Sequence, residues 1–133
     1  MISRKNQFPK ASRVHLRNDI SFLFTKGRSI NAFPVKAVYK IEPPQNEHWL
    51  RIAVSVPKRN FKKAVDRNRI KRQIREIYRL NHHPYSAQLA ALQKGVQLMF
   101  IFTGKESPEY AVLQSKIILI LQRLLVADEV AVN

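Results

Sequence analysis

Residues 57–79, PKRNFKKAVDRNRIKRQIREIYR, restrict what this chain can fold into more than any other stretch. From Ala64 onward the apolar residues Ile70, Ile74, Ile77 and Tyr78 recur at i, i+4, i+7 and i+8, the spacing of one helical stripe. The spacing predicts a helix to about Leu80. That stripe needs a core to lie on. At about 100° per residue, Asn68, Arg72, Arg75 and Arg79 fall in a narrow arc opposite it, with Arg69 and Lys71 flanking. The stretch holds ten of the chain's 24 Lys and Arg (Lys58, Arg59, Lys62, Lys63, Arg67, Arg69, Lys71, Arg72, Arg75, Arg79) against Asp66 and Glu76. A merely solvated face interleaves both signs so that cations pair with acids. On this face only Glu76 is expected to pair. Guanidinium groups bind phosphate bidentately and stay charged at physiological pH, so the ladder suits a polyanion.

The rest of the chain sets bounds on that reading. A length of 133 residues with 45% apolar content fits one domain around a single core. The net charge of +15 points to nucleic acid or an anionic membrane surface. No stretch approaches about 18 uninterrupted apolar residues, so no membrane span is expected. Cysteine is absent, which excludes disulfides and thiolate metal sites and agrees with a reducing cytosol. The first residues, MISRKNQFPKASR, are basic without a following apolar run, unlike a signal peptide.

In chain order, residues 1–17 read as a basic arm. Asn18 caps a short helix to about residue 26, with Ile20, Leu23 and Phe24 on one side and Phe22 on the other. Phe33 to Ile41 alternates as a strand, with Phe33, Val35, Ala37, Tyr39 and Ile41 on one face. Residues 42–48, with Pro43, Pro44 and Asn46, read as a hairpin connection to a second alternating strand from Leu50 to Val56, whose other face is Arg51, Ala53 and Ser55. After the basic helix, Asn81-His82-His83-Pro84 is a break, and residues 85–94 add a turn or two of helix. Val96 to Thr103 is an apolar strand, and after Pro108 a last helix runs to about Val126, apolar nearly all round. Residues 127–133 form a tail. The order α-β-β-α-β-α, with room for an extra short strand, is α+β, a sheet with helices packed on it.

No catalytic machinery is visible. The histidines, His15, His48, His82 and His83, fall in the arm, a loop and a helix end, where polar loop roles are expected; His82-His83 has no third metal ligand nearby. The nine acids form no D-x-D pair, and three glycines cannot build a phosphate loop. The residues alone describe an RNA- or DNA-binding subunit, with no small-molecule substrate.

Arg67-Asn68-Arg69-Ile70-Lys71-Arg72, followed by Ile74-Arg75-Glu76, strongly resembles the RNR motif of the bacterial ribonuclease P protein family. Ile52 to Arg59 resembles that family's strand ending in a small residue and a basic pair. Residues 18–27 resemble its first helix, and Arg13-Val14 the Arg-Leu before it. The likeness covers roughly residues 11–126. It implies a single-domain α/β sandwich with a left-handed βαβ crossover, against the usual handedness. It implies an endoribonuclease acting as a ribonucleoprotein in the cytoplasm. A catalytic RNA using Mg²⁺, held mainly by that RNA and the substrate, removes the 5′ leader of precursor tRNA; no residue of this chain is catalytic or binds metal. By position, Arg67, Asn68, Arg69, Lys71, Arg72, Arg75 and Arg79 contact the RNA, with Lys58, Arg59, Lys62 and Lys63 in the preceding connection. Ile20, Phe24, Ala37, Tyr39 and Ser55 line a leader cleft, where unpaired RNA would stack on aromatic rings. The free protein is expected to be a monomer. The alternative is a non-enzymatic module, a ribosomal or nucleoid protein using the same basic helix.

Overall fold

A computed structural model describes residues 28–43 and 49–127. The expected arm, the first helix with Ile20 and Phe24, the 44–48 loop and the tail beyond Ala127 lie outside the described residues. The elements run β1 (Arg28–Ala32), β2 (Val35–Glu42), β3 (Leu50–Ser55), α1 (Ala64–Asn81), α2 (His83–Leu92), β4 (Gly95–Phe102) and α3 (Tyr110–Val126).

The sheet order is β1-β2-β4-β3. β4 is antiparallel to β2 and parallel to β3. Its composition explains its place: Gly95–Phe102 is apolar apart from Gln97 and buried along nearly its whole length, as suits a central strand paired on both edges. This corrects the expected hairpin at residues 42–48. β2 and β3 do not pair, because β4, which arrives only after α1 and α2, lies between them. The two helices thus form the crossover of a parallel βαβ unit.

β1 is an edge strand with three exposed or half-exposed polar residues among its five, so alternation does not announce it. It meets β2 through a tight turn at Phe33-Pro34, whose peptide bond is cis, with Ala32 facing Val35. Phe33 therefore leaves the strand predicted for it. It is 68% exposed instead of sharing the face of Val35.

All three described helices cover one face of the sheet. Ile70, Ile74, Ile77 and Tyr78 of α1, Leu89 of α2, and Leu113, Ile117, Ile120, Leu121 and Leu124 of α3 meet Val35, Ala37, Tyr39, Leu50, Ile52, Leu98 and Phe100 in one core. α1 is the helix the stripe predicts. α2 is longer than the turn or two expected, with Pro84 in its first turn and Gln93 closing it in a left-handed conformation at φ 57°. α3 is less enclosed than its composition suggests, since Val112 remains exposed.

Tyr78 is fully buried, its hydroxyl donating weakly to the Leu50 carbonyl at 3.4 Å and its ring stacked on His82. Burial pushes its phenol well above the ordinary value near 10, outweighing the opposing hydrogen bond with Ser86. The native state then keeps a proton that the unfolded chain releases, so this group costs nothing below about pH 10 and destabilises the fold as pH rises through and beyond it. Melting temperatures followed from below to above about pH 10 are expected to fall more steeply in the wild type than in Tyr78→Phe. Parallel curves would show that the phenol does not govern alkaline unfolding.

Candidate nucleic-acid interface

The cations of residues 58–79 are not equivalent in the structure. Lys58, Arg59, Lys62 and Lys63 are exposed in the connection between β3 and α1, and Asn68, Arg69, Arg72 and Arg75 are exposed on the helix, with Lys71 half-buried beside them. The buried stripe Ile70, Ile74 and Ile77 anchors α1 on the sheet, so the opposite arc has to face outward. The predicted segregation of apolar and cationic faces holds.

Three arginines are committed to the protein's own structure. Arg67 Nη1 donates to the Phe61 and Lys62 carbonyls at 2.7 and 2.9 Å, holding the connection against the first turn of α1. Lys63, the residue capping α1, makes no side-chain cap, so this guanidinium is what ties the helix start to the loop. Arg69 pairs with Asp66 at 3.6 Å and donates to Ser107 Oγ at 3.0 Å, reaching the loop before α3. Arg79 pairs with Glu76 through both Nε and Nη2, at 3.1 and 2.6 Å, which raises its pKa further above the usual guanidinium value. Two acids pair along the helix, not Glu76 alone, because Asp66 lies one turn before Arg69. The other exposed cations of the stretch are Lys58, Arg59, Lys62, Lys63, Arg72 and Arg75.

Ala37, Tyr39 and Ser55, the expected cleft residues among the described ones, do not share one surface. Across the sheet Tyr39 faces Leu98, which faces Ile52; these three lie on the helix-covered side. Ala37 and Tyr39 are buried in the core, Tyr39 only 4% exposed. Ser55 faces Ile101, which faces Lys36, on the other side. Successive side chains alternate between faces, so residues at odd positions of β2 cannot meet Ser55. The placement of Ala37 and Tyr39 in a cleft with Ser55 is corrected accordingly.

That second face holds Val38 and Met99 with Ala53 and Ile101 around them, and a polar cluster at one end. There Arg51, on the face it shares with Ala53 and Ser55, is buried and donates to Glu42 at 3.1 Å, while Gln97 Nε2 donates to the other carboxylate oxygen. Glu42, Arg51 and Gln97 come from three strands, and no local pattern could have grouped them. A charge that deep is tolerable only with such a partner.

His82 and His83 do not form a ligand pair reaching outward. The His82 ring stacks on Tyr78, with Nδ1 3.1 Å from Ser86 Oγ, and His83 is partly buried beside it. Among the described residues no group of three or more His, Asp or Glu is placed to hold a metal ion. No helix among them is long and apolar enough to cross a membrane.

Comparison with known proteins agrees with this geometry. The family model for ribonuclease P matches residues 8–125. The ribonuclease P protein component of Porphyromonas gingivalis (strain ATCC 33277) is 34% identical over 101 residues, covering 76% of this chain and 74% of that protein. That of Idiomarina loihiensis is 50% identical over 58 residues, 41% of this chain and 46% of the other. Among solved structures, the RNase P protein of Staphylococcus aureus superposes with a TM-score of 0.67 at 21% identity, covering 86% and 96% of the two chains. The RNase P protein of Thermotoga maritima gives 0.65 at 24% identity, covering 84% and 96%. The structural likeness establishes the fold, and the sequence matches, which take in the whole basic helix, establish that the chain belongs to the ribonuclease P protein family.

Proposed function

We propose that, as the protein component of ribonuclease P, this chain binds a catalytic RNA and the 5′ leader of precursor tRNA in the cytoplasm, and that the RNA carries out the hydrolysis. The observation that carries this is the run of exposed cations from Lys58 to Arg72, displayed by a helix whose other face is anchored in the core. Those groups dock the catalytic RNA through its phosphates. The leader runs on the second sheet face, past Lys36 and Ser55 toward Arg59 in the connection after β3, because the first face is filled by helices. The described residues offer no donor set that fits Mg²⁺, so we place that ion on the RNA and substrate phosphates. The chain's own contribution is charge neutralisation and positioning.

The test is reconstitution with the cognate catalytic RNA and a precursor tRNA at low Mg²⁺. The mixture is expected to release the leader and leave the mature 5′ end. The protein alone, in excess over substrate with Mg²⁺ present, is expected to cut nothing. A specific cut at that position without the RNA would move catalysis to the protein and overturn the proposal.

A further inference from the structure

α1 and the start of α3 flank an open, shallow pocket of about 270 Å³ lined by Arg69, Arg72, Gln73, Glu76 and Tyr110. The four α1 residues stand at i, i+3, i+4 and i+7, one stripe of the helix beside the buried one. Tyr110 opens α3 and keeps 40% of its surface exposed, an aromatic ring with an open side. The Arg69–Ser107 hydrogen bond ties the loop before α3 to α1 and so fixes where that ring stands. The acid in the pocket is already neutralised, since both oxygens of Glu76 accept from Arg79.

We propose that this pocket is a nucleotide subsite in which one unpaired RNA base stacks on Tyr110 while its phosphate pairs with Arg72. Stacking on an exposed ring beside arginines is how unpaired bases are held without sequence preference. Gln73 adds an amide that can donate to or accept from the base edge. Charge selects the occupant: Arg72 lines the pocket, Arg69 is already held by Asp66 and Ser107, Glu76 is paired with Arg79, and an anionic ligand meets no uncompensated carboxylate. The volume lies just below the range of drug-sized sites, about 300 Å³ and above, and so suits a single base. The subsite lies at the flank of the docking helix, away from the second sheet face where the leader is placed, and it rests on the reading of α1 as an RNA surface.

The probes are two single-stranded RNAs of about 12 nucleotides, one oligoadenylate and one abasic with the same number of phosphates. Their affinities are measured at fixed salt for the wild type, Tyr110→Ala, Tyr110→Phe and Arg72→Ala. Tyr110→Ala is expected to weaken oligoadenylate binding about 5- to 140-fold, the loss of one stack, and to leave abasic binding unchanged. Tyr110→Phe keeps the ring and should match the wild type. Arg72→Ala should weaken both RNAs. If Tyr110→Ala alters both RNAs equally, or neither, while Arg72→Ala still weakens them, the subsite is wrong and α1 remains an RNA surface. Indifference of both RNAs to Arg72→Ala would overturn the reading beneath it. Circular dichroism of each variant separates these results from loss of fold.

Discussion

Tyr39→Ala is expected to destabilise the protein by about 3–5 kcal/mol, the usual cost of deleting a large aromatic side chain from a core. The effect should appear with no RNA present. The ring faces Leu98 and Ile52 beneath the helices, almost wholly out of solvent, and its removal leaves a cavity that the sheet and helices close only in part. Against a typical total of about 5–15 kcal/mol, such a loss leaves much of the chain unfolded near its melting range. Urea unfolding of the wild type, Tyr39→Ala and Tyr39→Phe checks it, with the Phe variant close to wild type in packing. A Tyr39→Ala protein that folds with normal stability, and loses affinity only for precursor tRNA, would restore the leader-cleft role that the register denies it.

Arg72→Ala combined with Arg75→Ala should act in the opposite manner, sparing the fold and weakening RNA docking. Both side chains are exposed on α1, away from Ile70, Ile74 and Ile77, so the core does not sense their loss. Each phosphate contact contributes roughly 0.7 to 0.9 to the slope of log affinity against log salt, so removing two should flatten that slope by roughly 1.4 to 1.8. The measurement is binding of the catalytic RNA across a salt series, beside thermal melts of the same proteins. Arg67→Ala is the contrasting variant: it frees the Phe61 and Lys62 carbonyls from their guanidinium and should lower the melting temperature. An unfolded double variant, or one whose salt slope is unchanged, would mean that Arg72 and Arg75 do not form the docking surface.

The elements with a long, regular period could be read from the residues. α1 declared itself because four apolar residues at helical spacing sit among six cations, and any fold that buries Ile70, Ile74 and Ile77 must turn Arg72 outward. β2, β3 and β4 were readable as strands, within a residue or two at each end. β1 was not, since an exposed edge strand carries no buried face to impose alternation. Phe33 misled for a related reason: it continues the alternation of β2 by type, but the turn to β1 takes it out of the sheet.

Period and charge, properties of neighbours in the chain, were determined by the sequence alone: the amphipathic helix, the strands β2, β3 and β4, and the cationic face. Which strands pair, and which sheet face is covered, only the tertiary structure decided. β2 and β3 look like the arms of a hairpin until β4, some forty residues later, is placed between them. Alternation says that Tyr39 and Ser55 each belong to a face, but only the register through β4 says that the faces differ. Likewise Arg51 meets Glu42 and Gln97, and Arg69 meets Ser107 across 38 residues, through contacts that depend on the whole sheet and helix packing. Local patterns tell which way a side chain points relative to its neighbours; what it points at depends on the segments that fold against it.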